Sequence, residues 1–555
     1  MDSCLGLAIL GSCEYLPNKP DIHLISFGDT ISVIALLIAF TQLVSLFKKS
    51  KLEGYLKKYY WLWAALPLIF VLFAGILPLI PGNAVPLLGY PIFWEFLAAI
   101  VLGIAVIQVI RIYVSKLKFS KKRPEKLLNI IMGVIAKGEA KDLAELAANL
   151  VYFIPDFVAV VKKYDVEKWK VKTDQIKENP HANEFSYVSG IIDVLADPFF
   201  CSVVVRKEPA LIAKLVNESK KQECSGTYFK PFVWELIKQG IQQEDSIFRR
   251  ETQFWGLGSF KSLSNIVFSD FEVNESFLPL SFWSPTLIKN IDEETFESFA
   301  KMFLLMIDAY FSAGRFYEHS FSIYSPGKTL VEYPKHNIYR IDDYPDSDIG
   351  ECLGYKYLWV SERTLVKIID KMLEVENLRE ESFIKYCNEV DKKNDHSIFK
   401  LIAEWSYEIF ESAAHTRKHD EQLRFLVIDL WMKIYPIGES TEIHSQIQNR
   451  LEPLILEKVN ENLEKGYYPA LSRVMISIFG LYIPEKTKQS REAVFCRKFY
   501  KYFREHFLEL YEKDQEKALD MLPANTTFDS DNLVLIQKNP WRKTERKMSV
   551  KKTDS

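Results

Sequence analysis

Glu411, His415 and His419 have the plainest metal-ligand spacing in the chain. On one continuous helix, positions i, i+4 and i+8 share a face, and two histidines four apart can grip a zinc ion as HExxH helices do. Two features oppose that reading. Thr416, Arg417 and Lys418 stand between the histidines, so the glutamate base of such motifs is missing. The two cations would also repel a metal. A polar helix end in water accounts for the same residues, and Glu411, His415 and His419 stand as weak metal candidates.

Other reactive types give less. Gly256-Leu-Gly258-Ser-Phe-Lys261-Ser262 superficially resembles a phosphate loop but lacks GxxxxGK[ST] spacing. Ser259, Ser262 and Ser264 have no GxSxG context. His319, His336 and His396 have no partner assignable by spacing, and no two cysteines form a CxxC pair. The reading leans away from an enzyme and calls for no cofactor, although triads can be assembled from distant residues.

A second group is polar or helix-breaking within apolar surroundings. Gln42 and Gln108 fall toward one end of two hydrophobic runs and could hydrogen-bond between helices. Pro67 and Pro78 interrupt the backbone ladder of a third run and can kink it. Glu95 sits where one run begins. Gln42, Pro67, Pro78, Glu95 and Gln108 are packing glue on one reading and gating residues of a pore on another.

The elements that position these residues are three runs long enough to cross a hydrocarbon core of about 30 Å, which takes about 20 apolar residues. They predict spans at 27–47, 60–80 and 93–114. Pro81, Gly82, Asn83, Pro86, Gly89 and Pro91 supply the turn between the last two, and Tyr59, Tyr60, Trp61, Trp63 and Trp94 suit an aromatic belt. Lys48, Lys49, Lys51, Lys57 and Lys58 follow the first span, and Lys116, Lys118, Lys121, Lys122, Arg123 and Lys126 follow the third. Basic loops stay in the cytoplasm, so the expected topology has the N-terminus outside and the C-terminal part inside a cell membrane. Leu10-Gly11-Ser12-Cys13 has a faint likeness to a lipoprotein box, without a basic n-region. Cys4 and Cys13 would lie outside, where a disulfide can form.

From Leu127 onward the pattern is helical. Leu143, Leu146, Ala147, Leu150, Val151 and Ile154 form one stripe; Phe299, Met302, Phe303, Met306 and Tyr310 form another. Leu365, Ile368, Ile369 and Met372 form a third, opened by Ser361 and Glu362. Further helices are predicted over 397–412, 421–435, 445–464, 469–482 and 490–521. Pro209 and Pro285 open two segments of related sequence, a repeat hint that shared capping grammar also explains. The stretch 255–285 reads as a structured loop. The stretch 325–358, with Pro326-Gly327, Pro334, Pro345 and Gly350, reads as a loop with a small hairpin.

The expected fold is therefore all-α: three N-terminal transmembrane helices, then a large cytoplasmic multi-helix domain compatible with an irregular helical-repeat array. Its parts are an extracytoplasmic segment (1–26), the membrane module (27–114), a basic linker (115–126), a helical domain (127–324), the 325–358 insertion, a second helical domain (359–538) and a basic disordered tail (539–555). The chain has 555 residues, with 70 Lys and Arg against 73 Asp and Glu. That balance gives no nucleic-acid footprint. The expected partners are the lipid bilayer, a cytoplasmic protein and, for a pore, further copies of the chain. The function read from this architecture is a membrane-bound scaffold or sensor that binds protein. The alternative is an effector whose oligomerised spans form a regulated pore, as in stress or antiviral defence.

Overall fold

The computed structural model describes residues 26–43, 60–76, 91–114, 124–170, 182–255, 262–281, 291–316, 318–390, 395–416, 419–465, 470–539 and 544–551. The chain divides into two units, Met1–Glu235 and Leu236–Ser555.

The first unit begins with α1 (Phe27–Leu43), α2 (Tyr60–Ile76) and α3 (Pro91–Val114). Ser26 and Asp29 start α1 by reciprocal capping: the Asp29 amide donates to Ser26 Oγ, 3.1 Å, and the Ser26 amide to Asp29 Oδ2, 3.0 Å. Helices α2 and α3 pack on each other. The Trp94 ring lies 5.7 Å from that of Phe70 and 5.3 Å from that of Phe73. Glu95, Ala98, Leu102, Ala105 and Val109 are the buried stripe of α3, and Val71 and Ala74 are buried on α2. Small residues at such a seam let backbones approach closely.

Within α3, Phe93–Arg111 is long and apolar enough to cross a membrane. It is the one unbroken helix among the described residues that meets that length and composition. The expected spans 27–47 and 60–80 extend past the described parts of α1 and α2; the described residues hold one clear apolar span in a mostly helical chain.

Next come α4 (Pro124–Lys137), α5 (Ala140–Leu150), α6 (Ile154–Lys170), α7 (Ala182–Leu195), α8 (Pro198–Lys207) and α9 (Ala210–Lys221). Helix α4 packs on α7, α5 on α8, and α6 on α7 and α9. The predicted stripe is core: Leu143, Leu146, Ala147, Leu150 and Ile154 are buried. The consecutive pairs α5–α6 and α7–α8 are also apolar overall but bend by 61° and 77° at their joints. Pro209 caps the start of α9; Pro285 lies outside the described residues.

Helix α10 (Lys230–Gln242) carries the chain into the second unit. There, α11 (Ile247–Arg250) runs into a π-turn at Glu251–Trp255. The core is built from α14 (Glu293–Ala313), α15 (Phe321–Asn337), α16 (Leu353–Glu374), α18 (Ile398–Ala414), α19 (Asp420–Ile434), α20 (Glu442–Lys465), α21 (Ala470–Phe479) and α22 (Arg491–Lys513). Shorter helices are α12 (Leu263–Phe268), α13 (Phe271–Phe277), α17 (Glu381–Glu389) and α23 (Gln515–Asp520). On α22, Phe495, Phe499, Phe503, Phe507 and Tyr511 recur every fourth residue, with rings 5.9 Å apart between Phe499 and Phe503 and 5.3 Å between Phe503 and Phe507. That spacing stacks one aromatic face along the helix.

The structure departs from the sequence expectation at four places. The 325–358 stretch is not a hairpin: α15 runs through Pro326, Gly327 and Pro334, and short 3₁₀ turns at Ile338–Asp343 and Asp346–Glu351 lead to α16. A proline inside a helix costs roughly 3 kcal/mol, but Leu330, Val331 and Tyr333 are buried on this helix and tertiary packing prevails. Ser361 and Glu362 sit inside α16, which starts at Leu353. The 490–521 helix breaks at Asp514, whose backbone is extended and whose carboxylate accepts from the Lys517 amide, 3.1 Å, to start α23.

The last departure is at the C-terminal end: the chain is mostly helical, consistent with the all-α expectation, and carries one small sheet. Strands β1 (Thr526–Asp529), β2 (Val534–Asn539) and β3 (Thr544–Ser549) form an antiparallel meander in sequence order. Part of the expected disordered tail is thus an edge strand, paired Leu535 to Met548 and Ile536 to Lys547. Thr544, Glu545, Arg546 and Lys547 are exposed while Met548 is buried. A charged edge strand resists pairing with other chains, and that same charge hid it in the sequence. Phe528 docks the sheet on α22, its ring 5.1 Å from Phe507 and 4.8 Å from Tyr511.

Candidate functional site

Glu411 does face a cluster of charge, but not the one its spacing suggested. Helix α18 ends at Ala414, so His415 is its cap and His419 precedes α19. The single helical face that would align the three side chains does not exist. Lys335 of α15 donates to Glu408, 2.9 Å, and to Glu411, 2.6 Å, while the Tyr407 hydroxyl donates to Glu411, 3.1 Å. Burial works against the Lys335 charge, but Glu411 and Glu408 outweigh it and hold the ammonium above its ordinary range. Burial likewise opposes the Glu411 charge, and Lys335 and Tyr407 overcome it and hold the carboxyl below its usual value. Partial burial pushes the His415 imidazole down; Glu411 counters, and Lys335 and Arg473 push it further.

The turn between α18 and α19 is fastened from several sides. Thr416 donates its hydroxyl to Asp342, 2.5 Å. Arg473 donates to the Thr416 carbonyl, 2.6 Å, and to the Asp520 carbonyl, 2.9 Å. His419 is buried, with Nε2 3.1 Å from the Tyr344 carbonyl oxygen. Among the described residues no group of three His, Cys, Asp or Glu side chains is arranged to hold a metal. The cluster fixes charges as ion pairs and joins α15 to α18.

The phosphate-loop likeness meets a different obstacle. The Glu251 carboxylate accepts from the amides of Leu263 and Ser264, both 2.8 Å, at the start of α12. A carboxylate thus occupies the position an anion would take at that helix terminus. Residues 256–261 lie outside the described residues.

Of the polar and helix-breaking residues set in apolar runs, Glu95 is buried, Pro67 is buried inside α2, and Gln108 is exposed on α3. Pro78 and the Gln42 side chain lie outside what is described. The described cysteines, Cys201, Cys224, Cys352, Cys387 and Cys496, are all free and buried. Burial raises the Cys224 and Cys496 thiols to about 12 and Cys387 to about 11, which keeps them protonated and unreactive.

One strongly perturbed acid escaped the sequence reading. Glu362 of α16 is 4% exposed, and burial raises its carboxyl to about 7, with Asp429 of α19 adding repulsion and Arg363 opposing it. Nothing local to Glu362 announces this, because Asp429 comes from α19, a helix distant in sequence that packs on α16. Comparison of the chain with protein-family models, curated proteins and solved structures gives no match.

Proposed function

We propose that the chain is a membrane-anchored protein whose helical C-terminal part lies in the cytoplasm and captures another protein, as a scaffold or sensor. The observation that carries the anchor is the outward surface of α2 and α3. Ile69, Leu72, Phe73, Ile76, Phe96, Ile100, Ile104, Ile107 and Ile110 are exposed there while the other face of each helix is buried. A helix apolar all round suits hydrocarbon on its outer side. On this reading α1, α2 and α3 are three spans with the N-terminus outside, because Lys48–Lys58 and Lys116–Lys126 then share the cytoplasmic side.

The binding half draws on the size of the helical part and on large apolar side chains left in water, among them Phe425 at 65% and Ile437 at 92% exposure. Such residues anchor protein interfaces. A photo-crosslinker placed at Phe425 in intact cells should yield one discrete partner band. A diffuse ladder, or no adduct at any exposure, would argue against capture of a protein.

One observation favours a second reading, the regulated pore. Gln108 points outward on α3 beside the exposed Ile104, Ile107 and Ile110. An amide among lipid-facing isoleucines gains from a partner on another copy. Overexpression should then depolarise cells, and Gln108→Leu should change the leak without changing insertion. Polarised cells despite assembled oligomers would leave only the anchor.

A further inference from the structure

Helices α15 and α18 lie side by side and parallel, joined at three levels. Near their C-terminal ends Lys335 bridges to Glu408 and Glu411. Midway, Gly327 lies against the Trp405 indole. At their N-terminal ends the His319 and His396 rings meet, centroids 5.1 Å apart and nearly perpendicular at 88°. The residues at the three levels are 77, 78 and 73–76 positions apart in sequence, as expected of two parallel helices in register. Both histidines are exposed. We propose that His319 and His396 form a two-imidazole site for a divalent transition-metal cation of the zinc, nickel or copper class, water completing its coordination.

The spacing fits that chemistry. With metal–nitrogen bonds of about 2.0–2.1 Å and each ring centroid about 1.1 Å behind its nitrogen, a tetrahedral metal holds two imidazole centroids roughly 5.2 Å apart. The rings already stand at 5.1 Å. Neutral imidazole suits this class of cation, whereas magnesium and calcium prefer oxygen donors.

The backbone of each histidine is held before any metal arrives. His319 precedes Ser320, which caps α15 by accepting from the Ile323 amide, 3.2 Å. His396 precedes Ser397, which caps α18 by accepting from the Lys400 amide, 3.4 Å. Two parallel helix N-termini would by themselves repel a cation. Each is already met by a carboxylate. Glu275 accepts from the Ser320 hydroxyl, 2.5 Å, and from the Ser322 hydroxyl, 2.7 Å, and amide, 3.2 Å. Asp395 accepts from the Ser397 amide, 2.9 Å. These carboxylates offset the helix dipoles, and Arg450 neutralises only the second of them, at 2.6 Å. The backbones that carry both rings are therefore fixed, with the Glu275 carboxylate beside the start of α15. Binding would clamp the α14–α15 connection to the segment that opens α18.

The test is calorimetric titration of the detergent-solubilised full chain, free of any polyhistidine tag, with zinc chloride and separately with nickel chloride at pH 7.5. The site predicts one bound ion per chain for at least one metal, and a loss of affinity of at least tenfold in both H319A and H396F. The phenylalanine variant retains a ring for edge-to-face packing, so it separates metal ligation from simple aromatic contact. Absence of binding by both metals overturns the proposal, as does binding that neither substitution weakens. If H319A unfolds, H319F with unchanged circular dichroism takes its place and must show the same loss.

Discussion

A Cβ at Gly327 would stand 1.9 Å from Cζ2 of Trp405. That approach sets the separation of the parallel pair α15 and α18, with Trp405 only 2% exposed. The glycine is there for closeness rather than for backbone freedom, since it sits in regular helix.

Gly327→Ala should therefore destabilise the second unit, although alanine is the better helix former. Neither the backbone nor a wedged indole can yield easily, and overpacking of this kind costs about 1–3 kcal/mol. Chemical denaturation followed by tryptophan fluorescence would register it. Adding Trp405→Leu should recover part of the loss from Gly327→Ala; strictly additive losses would show that the two residues do not set each other's position.

Arg450 is the counter-ion of a buried acid. It donates to Asp395, 2.6 Å, to the Cys387 carbonyl, 2.8 Å, and to the Gln446 carbonyl, 3.0 Å. The Asp395 side chain is 5% exposed. Arg450→Ala strands that carboxylate and should cost about 3–5 kcal/mol, the usual range for half of a buried pair. Asp395→Asn in the same chain should restore a measurable part. Lysine at 450 should rescue poorly, because one ammonium cannot reach three acceptors in the guanidinium's geometry.

Glu362 gives the second unit a specific pH dependence. Its folded value, about 7, lies above the ordinary 4.5, so the folded state holds a proton that the unfolded state has released between those values. The Glu362 contribution is therefore fully present below about 4.5, falls as pH rises to about 7, and is lost above it. Glu362→Gln keeps the shape without the charge. It should flatten this part of the stability–pH curve and stabilise the protein most at pH 8. An unchanged slope between pH 5 and pH 7 in this variant would place the proton elsewhere.

The sequence made the apolar stripes legible because helix periodicity is local. Phe299, Met302, Phe303, Met306 and Tyr310 are all buried, as are Leu365, Ile368, Ile369 and Met372. What it concealed depends on residues far apart in the chain. Pro326-Gly327 reads as a turn until Trp405 is brought against it. His319 and His396 have no local partner, and only the parallel docking of their two helices pairs them. Glu411 was legible as charged and helical, but its real partner, Lys335, lies 76 residues away. His415 and His419 misled because the spacing rule presumes a continuous helix, and α18 stops between Glu411 and His415.

Whether the outward isoleucines of α2 and α3 face hydrocarbon is decided by washing isolated membranes with alkaline carbonate. Peripheral proteins leave the sheets under that treatment, whereas a chain held by apolar helices does not. The protein should stay in the membrane pellet and enter solution only with detergent. Recovery of the folded chain in the carbonate supernatant would contradict that placement.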